Sequence, residues 1–329
     1  MRRHGFHRHT ALAAITVAAT FAAVSCEVSP SSPDPSTSAA RPLTEPERQL
    51  LYDAEQQLTR SCMAAHGFRM RPVPRRPLPE DRDFPYVIDD VRWAARHGYG
   101  SDLEARREQL RATDPNLRYF AGLPEADRQR AVAVYNGAQS ADRLEVRAPN
   151  GMTVGRIDDG CTAQAQTRLY GDLAKWFHAD VVIGALPPLR QQKVAADGEF
   201  KAAVKKWSAC MRDRGMNYTD PYQPRDAFND NDNAKAKATT DTTARRRREI
   251  RTAIAEAECA HDSGLSTTAR RLDRRYDAQL RNQYRAEVRS KLRLERAAVQ
   301  RARAVLTADD RSTPSPSTSP LTSTSTSKE

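Results

Sequence analysis

The chain has 329 residues, of which 39% are hydrophobic and 29% charged, with a mean hydropathy of −0.75 and a formal net charge of +11. That length allows one or two domains once a leader and polar tails are set aside, and the low hydropathy restricts each to a thin core of amphipathic helices. No apolar run after the first 25 residues approaches the length of a transmembrane helix.

Residues 1–25 read as a lipoprotein signal peptide. Arg2, Arg3 and Arg8 precede an apolar run from Ala11 to Val24, and the small residues Ala23 and Ser25 flank Val24 just before Cys26. This order predicts export, with Cys26 as the lipidated first residue of the mature chain. Arg2-Arg3 leaves a twin-arginine route open beside the general one. The Ser/Pro-rich stretch over 26–43 is too poor in bulky apolar residues to fold and is expected to act as a spacer.

A first helical module is expected over 44–190. Thr44 and Glu47 make a capping box, and Leu50, Leu51, Ala54 and Leu58 follow at helical spacing. Pro72 to Pro85 reads as an irregular connection, and Ser101 with Glu104 predicts a second capping box on a helix through Leu103 and Leu110. Pro124 opens a helix that ends near Tyr135. Asn150-Gly151 between Leu144–Val146 and Thr153–Gly155 predicts one small β-hairpin. A helix through Trp176 and Phe177 is expected to stop at Pro187-Pro188.

A second module is expected over 191–308, with a helix from about Asp197 through Phe200, Val204 and Trp207, then a polar loop from Asp220 to Thr243. Asp230, Asp232 and Asp241 stand at calcium-loop positions one, three and twelve, but Lys235 occupies the glycine position, so the stretch reads as a polar loop. The longest helix is expected from Ser266 to Leu306. Its stripe of Leu272, Tyr276, Leu280, Tyr284, Val288 and Leu292 steps every four residues, so it drifts about 40° per step and cannot form a heptad seam. Arg270, Arg271, Arg274, Arg275, Arg281, Arg285 and Arg289 offer a cationic ridge along this helix. The Ser/Thr/Pro tail over 309–329 reads as disordered.

The remaining cysteines, Cys62, Cys161, Cys210 and Cys259, form an even set that in an oxidising compartment reads as two disulfides with three possible pairings. A repeat chooses among them. Cys62-Met63-Ala64-Ala65-His66-Gly67 aligns with Cys210-Met211-Arg212-Asp213-Arg214-Gly215, each a helix end stopped by a glycine. Cys161 and Cys259 each follow acidic residues in helical segments. Two modules built alike predict Cys62 with Cys161 and Cys210 with Cys259. The chain resembles secreted actinobacterial lipoproteins that carry this repeated Cys-Met-x-x-x-Gly element. Gly151–Arg156, Gly160-Cys161 and Leu169-Tyr170-Gly171-Asp172 carry the same resemblance, which covers most of 44–265. The resemblance implies no activity and no catalytic residue.

No nucleophile elbow, phosphate loop, zincin motif or dinucleotide fingerprint occurs in the sequence. His66, His97, His178 and His261 lack metal-ligand spacing, and Asp158, Asp159, Glu256 and Glu258 read as helix-terminal acids rather than catalytic pairs. Neither a metal nor a cofactor is expected. Removing the arginines of the signal leaves a mature charge of +8, and the stretch from Asp241 to Val305 holds 17 Lys/Arg against 9 Asp/Glu. Export argues against nucleic acid and for anionic lipid or wall polymer as the counter-charge. The expected fold is mainly α, made of disulfide-stapled helical modules with one hairpin and a long C-terminal helix. The expected function is a non-enzymatic, membrane-tethered binding or envelope-interaction module. An anionic-polymer binder working through the basic helix, and an envelope hydrolase, stand as alternatives.

Overall fold

The computed structural model describes residues 41–75, 78–229 and 242–312. The expected signal, Cys26, most of the spacer, the calcium-like run at Asp230, Asp232 and Asp241, and the tail from 313 lie outside the described residues. Among the described residues the fold is mainly helical, with one two-stranded antiparallel sheet.

In chain order the elements are α1 (Glu45–Ala65), α2 (Val91–His97), α3 (Ser101–Ala112), α4 (Pro115–Ala121), α5 (Glu125–Asn136), β1 (Arg143–Arg147), β2 (Thr153–Ile157), α6 (Gly160–Tyr170), α7 (Leu173–Gly184), α8 (Leu186–Ala196), α9 (Gly198–Asp213), α10 (Tyr222–Asn229), α11 (Thr242–Asp262), α12 (Leu265–Gln283) and α13 (Arg285–Ser312). The hairpin pairs Leu144 with Arg156 and Val146 with Val154, as the Asn-Gly turn predicts.

The capping box forms at α1. The Thr44 amide donates to Glu47 Oε2 at 2.7 Å, and the Glu47 amide donates to Thr44 Oγ1 at 3.4 Å. The one predicted at Ser101 does not form. Gly100 caps α3 in a left-handed conformation, and the Ser101 hydroxyl donates instead to Glu249 on α11 at 2.5 Å. Pro187 and Pro188 do not simply end α7. They occupy the first turn of α8, where a missing amide hydrogen costs nothing. The polar loop expected from Asp220 contains α10.

Both copies of the cysteine repeat end alike. The amides of Phe68 and Met216 each donate to the carbonyl five residues back, of Met63 and Met211, at 2.9 Å. Gly67 (φ 85°) and Gly215 (φ 77°) supply the left-handed turn this closure needs. Met63 and Met211 are fully buried, and the disulfides join Cys62 to Cys161 and Cys210 to Cys259.

Two larger cores result. One gathers α1, α6, α7 and α13 around Leu51, Leu169, Trp176 and Val299. The other gathers α8, α9, α11 and α12 around Trp207, Met211, Leu265 and Leu272. A third cluster seats Ile88, Trp93, Tyr99 and Leu103 against Ala253 and Ala257 of α11. Helices from either side of residue 190 pack on one another. Among the described residues, α2 packs on α11, and α13 packs on α1, α6 and α7.

The long C-terminal helix is present as two helices that break at Tyr284 (φ −104°, ψ 33°). The drifting stripe explains the break. A straight helix would turn its later apolar residues away from the earlier ones. Breaking at Tyr284 buries Leu272 and Leu280 on α12, and Ala298, Val299 and Ala302 on α13.

Candidate functional site

The segment from Arg82 to Arg96 lies along the first turns of α12. Two adjoining clefts open between them. The larger, about 610 Å³, is lined by Arg82, Asp89, Asp90, Arg92, Arg96, His261 and Arg270. The smaller, about 310 Å³, shares Arg82, Asp89 and Arg270 and adds Asp83, Tyr86, Arg190, Ser266, Asp273 and Arg274 among others.

Two buried glutamates of α11 hold this segment in place. Glu256 accepts a hydrogen bond from the Ile88 amide at 2.9 Å and one from the Tyr99 hydroxyl at 2.5 Å. Glu249, seven residues earlier and so on the same helical face, accepts from the Tyr99 amide at 2.9 Å. Arg246 pairs with Glu249 at 3.0 Å. Gly98 lies against Glu249 so closely that an added Cβ would come within 2.8 Å of its side-chain carbons. Complete burial pushes the Glu256 carboxyl up to about 7, against its hydrogen bonds from Tyr99 and Ile88. Burial and the adjacent Glu256 carboxylate raise the Tyr99 hydroxyl well above its ordinary range.

Within the clefts some charges cancel. Arg82 pairs with Asp90, and Arg270 with Asp89. Asp90 also caps α2, accepting from the Trp93 amide at 2.9 Å. That bond first, and Arg82 after it, hold its carboxyl below the usual range. Arg190 reaches Asp273 at 2.8 Å and Asp277 at 2.7 Å. Arg92, Arg96 and Arg274 have no side-chain hydrogen bond or ion pair among the described residues, and the buried Ser266 hydroxyl also lacks a partner. The site is therefore a concave surface with a surplus of guanidinium donors.

The seven arginines of the predicted ridge are all exposed, with different surroundings. Arg270 and Arg274 line the clefts. Arg271 pairs with Glu199, Arg275 with Asp197 at 2.8 Å, and Arg281 with Asp277 at 2.7 Å. Arg285 and Arg289 are exposed beyond the break. Sequence reasoning missed Arg82, Arg92 and Arg96. An Asp before an apolar helical pattern, Asp90 ahead of Val91 and Trp93, is the N-cap signal that would have found α2. Glu249 and Glu256 were also missed as a buried pair. They share a face with Ala253, Ala257 and Ala260, and that apolar company is the signal.

The imagined carboxylate pair is not assembled. Asp158 and Asp159 lie at the base of the hairpin, whereas Glu256 is enclosed beside α2 and Glu258 faces Arg214 at 3.6 Å. Cys62, His66 and Cys161 stand close enough to suggest a metal, but the two sulfurs are bonded to each other and offer no thiolate. No described helix is long and apolar enough to cross a membrane. Comparison with protein-family models, curated proteins and solved structures gives no match.

Proposed function

We propose that the protein is a membrane-tethered extracytoplasmic lipoprotein, anchored through Cys26, whose helical body binds an anionic partner without catalysing a reaction. The tether rests on the basic, apolar and small-residue order ahead of Cys26. Two disulfides agree with an oxidising compartment. The binding surface is the arginine-lined concavity, and the polyanion class it suits is anionic lipid headgroup or wall polymer. One observation carries this reading: Arg92, Arg96 and Arg274 converge on adjoining clefts with no acidic partner among the described residues. Several cations reaching one polyanion act together, each contributing about 1 kcal/mol near an anionic surface.

The tether is tested by detergent-phase partitioning, where Cys26→Ala should move the protein to the aqueous phase. The site is tested by sedimentation with anionic vesicles and with polyphosphate at rising salt. Binding should fall with salt and be lost in a variant with Arg92, Arg96 and Arg274 changed to serine. Changing Arg285 and Arg289 instead should leave it intact. If that second variant loses binding while the first keeps it, the basic helix and not the concavity is the surface.

A further inference from the structure

A third cleft, about 520 Å³, opens on the far core between the hairpin, α6 and α7. Its size suits a small ligand. Arg156 of β2 is half-buried here without a carboxylate in salt-bridge range among the described residues. Its Nε donates to the Ile157 carbonyl at 3.3 Å, and its Nη1 donates to the Gln166 side-chain oxygen. Gln166 in turn donates from Nε2 to Glu55 Oε1 at 2.9 Å. The half-buried Glu55 is thus linked to Arg156 only through a neutral amide. Arg156 is oriented at two of its nitrogens and lies 5.7 Å over the Phe177 ring, while its Nη2 edge has no acceptor among the described residues.

Several other lining groups can donate as well, the amides of Asn136 and Gln139 carrying an acceptor oxygen besides. Arg143, Asn136 and Gln139 make no side-chain hydrogen bond among the described residues, and neither does the indole N–H of Trp176. The one acid of the cleft, Asp180, is already engaged by Lys291. The floor is apolar: Trp176 and Phe177 are both buried, and Tyr170 stacks on Trp176 at 3.6 Å between ring centroids. An oriented, partly desolvated guanidinium beside neutral donors and an aromatic floor calls for one delocalised negative charge on a compact body. Arg156 and the exposed Arg143 are the cations of this cleft, and only Arg156 is partly desolvated, so a single negative charge is matched at less desolvation cost than a multiply charged phosphate.

We propose that this cleft is a second binding site, specific for a small monocarboxylate, with Arg156 as the carboxylate clamp and Glu55–Gln166 as its positioning relay. The carboxylate can come from an acidic sugar or from a peptide C-terminus. Isothermal titration of the full-length protein with glucuronate and with N-acetyl-alanyl-alanine distinguishes these two sources. Methyl glucoside and the peptide amide serve as neutral controls. At least one carboxylate should bind saturably and its neutral counterpart should not. Arg156→Lys keeps the charge but not the planar fork, and should weaken binding roughly thirtyfold. Arg143→Ala, at an exposed position that leaves the fold alone, should weaken it several-fold, and the triple serine variant of the other site should not change it. The proposal is overturned if neither carboxylate binds, if neutral controls bind equally, if inorganic phosphate binds more tightly, or if Arg143→Ala and Arg156→Lys both bind as the parent does.

Discussion

The two disulfide-stapled regions use the same local code and hold it in different ways. In each, a helix ends Cys-Met-x-x-x-Gly, the methionine is fully buried, and the glycine turns the chain so that the next amide closes on the methionine carbonyl. The first staple runs from the end of α1 to the first turn of α6, and tight backbone crossings surround it. The second runs from α9 to the last turns of α11, where Arg214 and its exposed partners Glu258 and Asp262 adjoin it. Arg214 donates to Cys259 Sγ at 2.6 Å and pairs with Asp262 at 3.2 Å, whereas His66, its counterpart in the repeat, turns back to the Cys62 carbonyl at 2.9 Å. A short motif therefore fixes how a helix ends and where its sulfur points. It leaves open what the rest of the region does with that anchor.

Breaking the staples gives the largest effects. The bridged cysteines are 99 and 49 residues apart, which in the chain-entropy view corresponds to about 4.7 and about 4.1 kcal/mol. Loop length alone thus predicts near-equal losses for Cys62→Ser/Cys161→Ser and Cys210→Ser/Cys259→Ser in denaturant unfolding. A second-staple loss clearly larger than the first would show that Arg214, left facing no disulfide, makes the difference.

The first region has its own weak point. Gly160 has φ 87°, and an added Cβ would stand 2.2 Å from the Gly137 amide nitrogen. Backbone cannot move aside as a side chain can, so Gly160→Ala combines a left-handed penalty with an overlap. The expected loss is about 4 kcal/mol. Gly215→Ala in the second region shares the left-handed penalty but meets nothing within 4 Å, so it should lose only about 1 kcal/mol. Thermal unfolding of the two variants side by side checks the contrast. Equal losses would mean that the Gly137–Gly160 crossing yields.

What the sequence made legible follows from where each signal resides. The capping box at Thr44, the Asn-Gly hairpin and the repeated helix end are local, and all three form. The capping box at Ser101 is equally good as a local pattern, yet Glu249, 148 residues away, takes its hydroxyl. Tertiary competition of that kind leaves no mark near Ser101. The break at Tyr284 was half-legible. The four-residue stripe showed that one straight face could not serve, but not that the chain would turn to serve two cores. For the candidate site, Arg270 and Arg274 were visible as cations on a helix. Which arginines keep their charge unopposed was not, because Glu199 and Asp197 neutralise Arg271 and Arg275 from more than 70 residues away.

The smallest effect separates the two regions by pH. Glu47, at the start of the first region, is held at about 2 by Arg41 and then by the Thr44 amide, so its contribution is present above its ordinary value of 4.5 and is lost as pH falls toward 2. Glu256 behaves in the opposite sense. Its folded value of about 7 exceeds the ordinary 4.5, so between those limits the folded state holds a proton that the unfolded state has released. Stability then falls as pH rises through the window, by about 3 kcal/mol in full, and levels off above it. Glu55 and Glu295, raised first by burial, add to the same decline, so the wild-type profile alone does not isolate Glu256. Glu256→Gln does. The amide has the same shape, its oxygen can accept from Ile88, and its NH₂ can donate to the Tyr99 oxygen. Measured by urea unfolding at pH 4.5 and pH 8, the variant should gain on the wild type by about 3 kcal/mol across the window. Parallel profiles would mean that Glu256 keeps its charge when buried. The two hydrogen bonds that tie residues 88–101 to α11 would then be bonds to a carboxylate at every pH above 4.5.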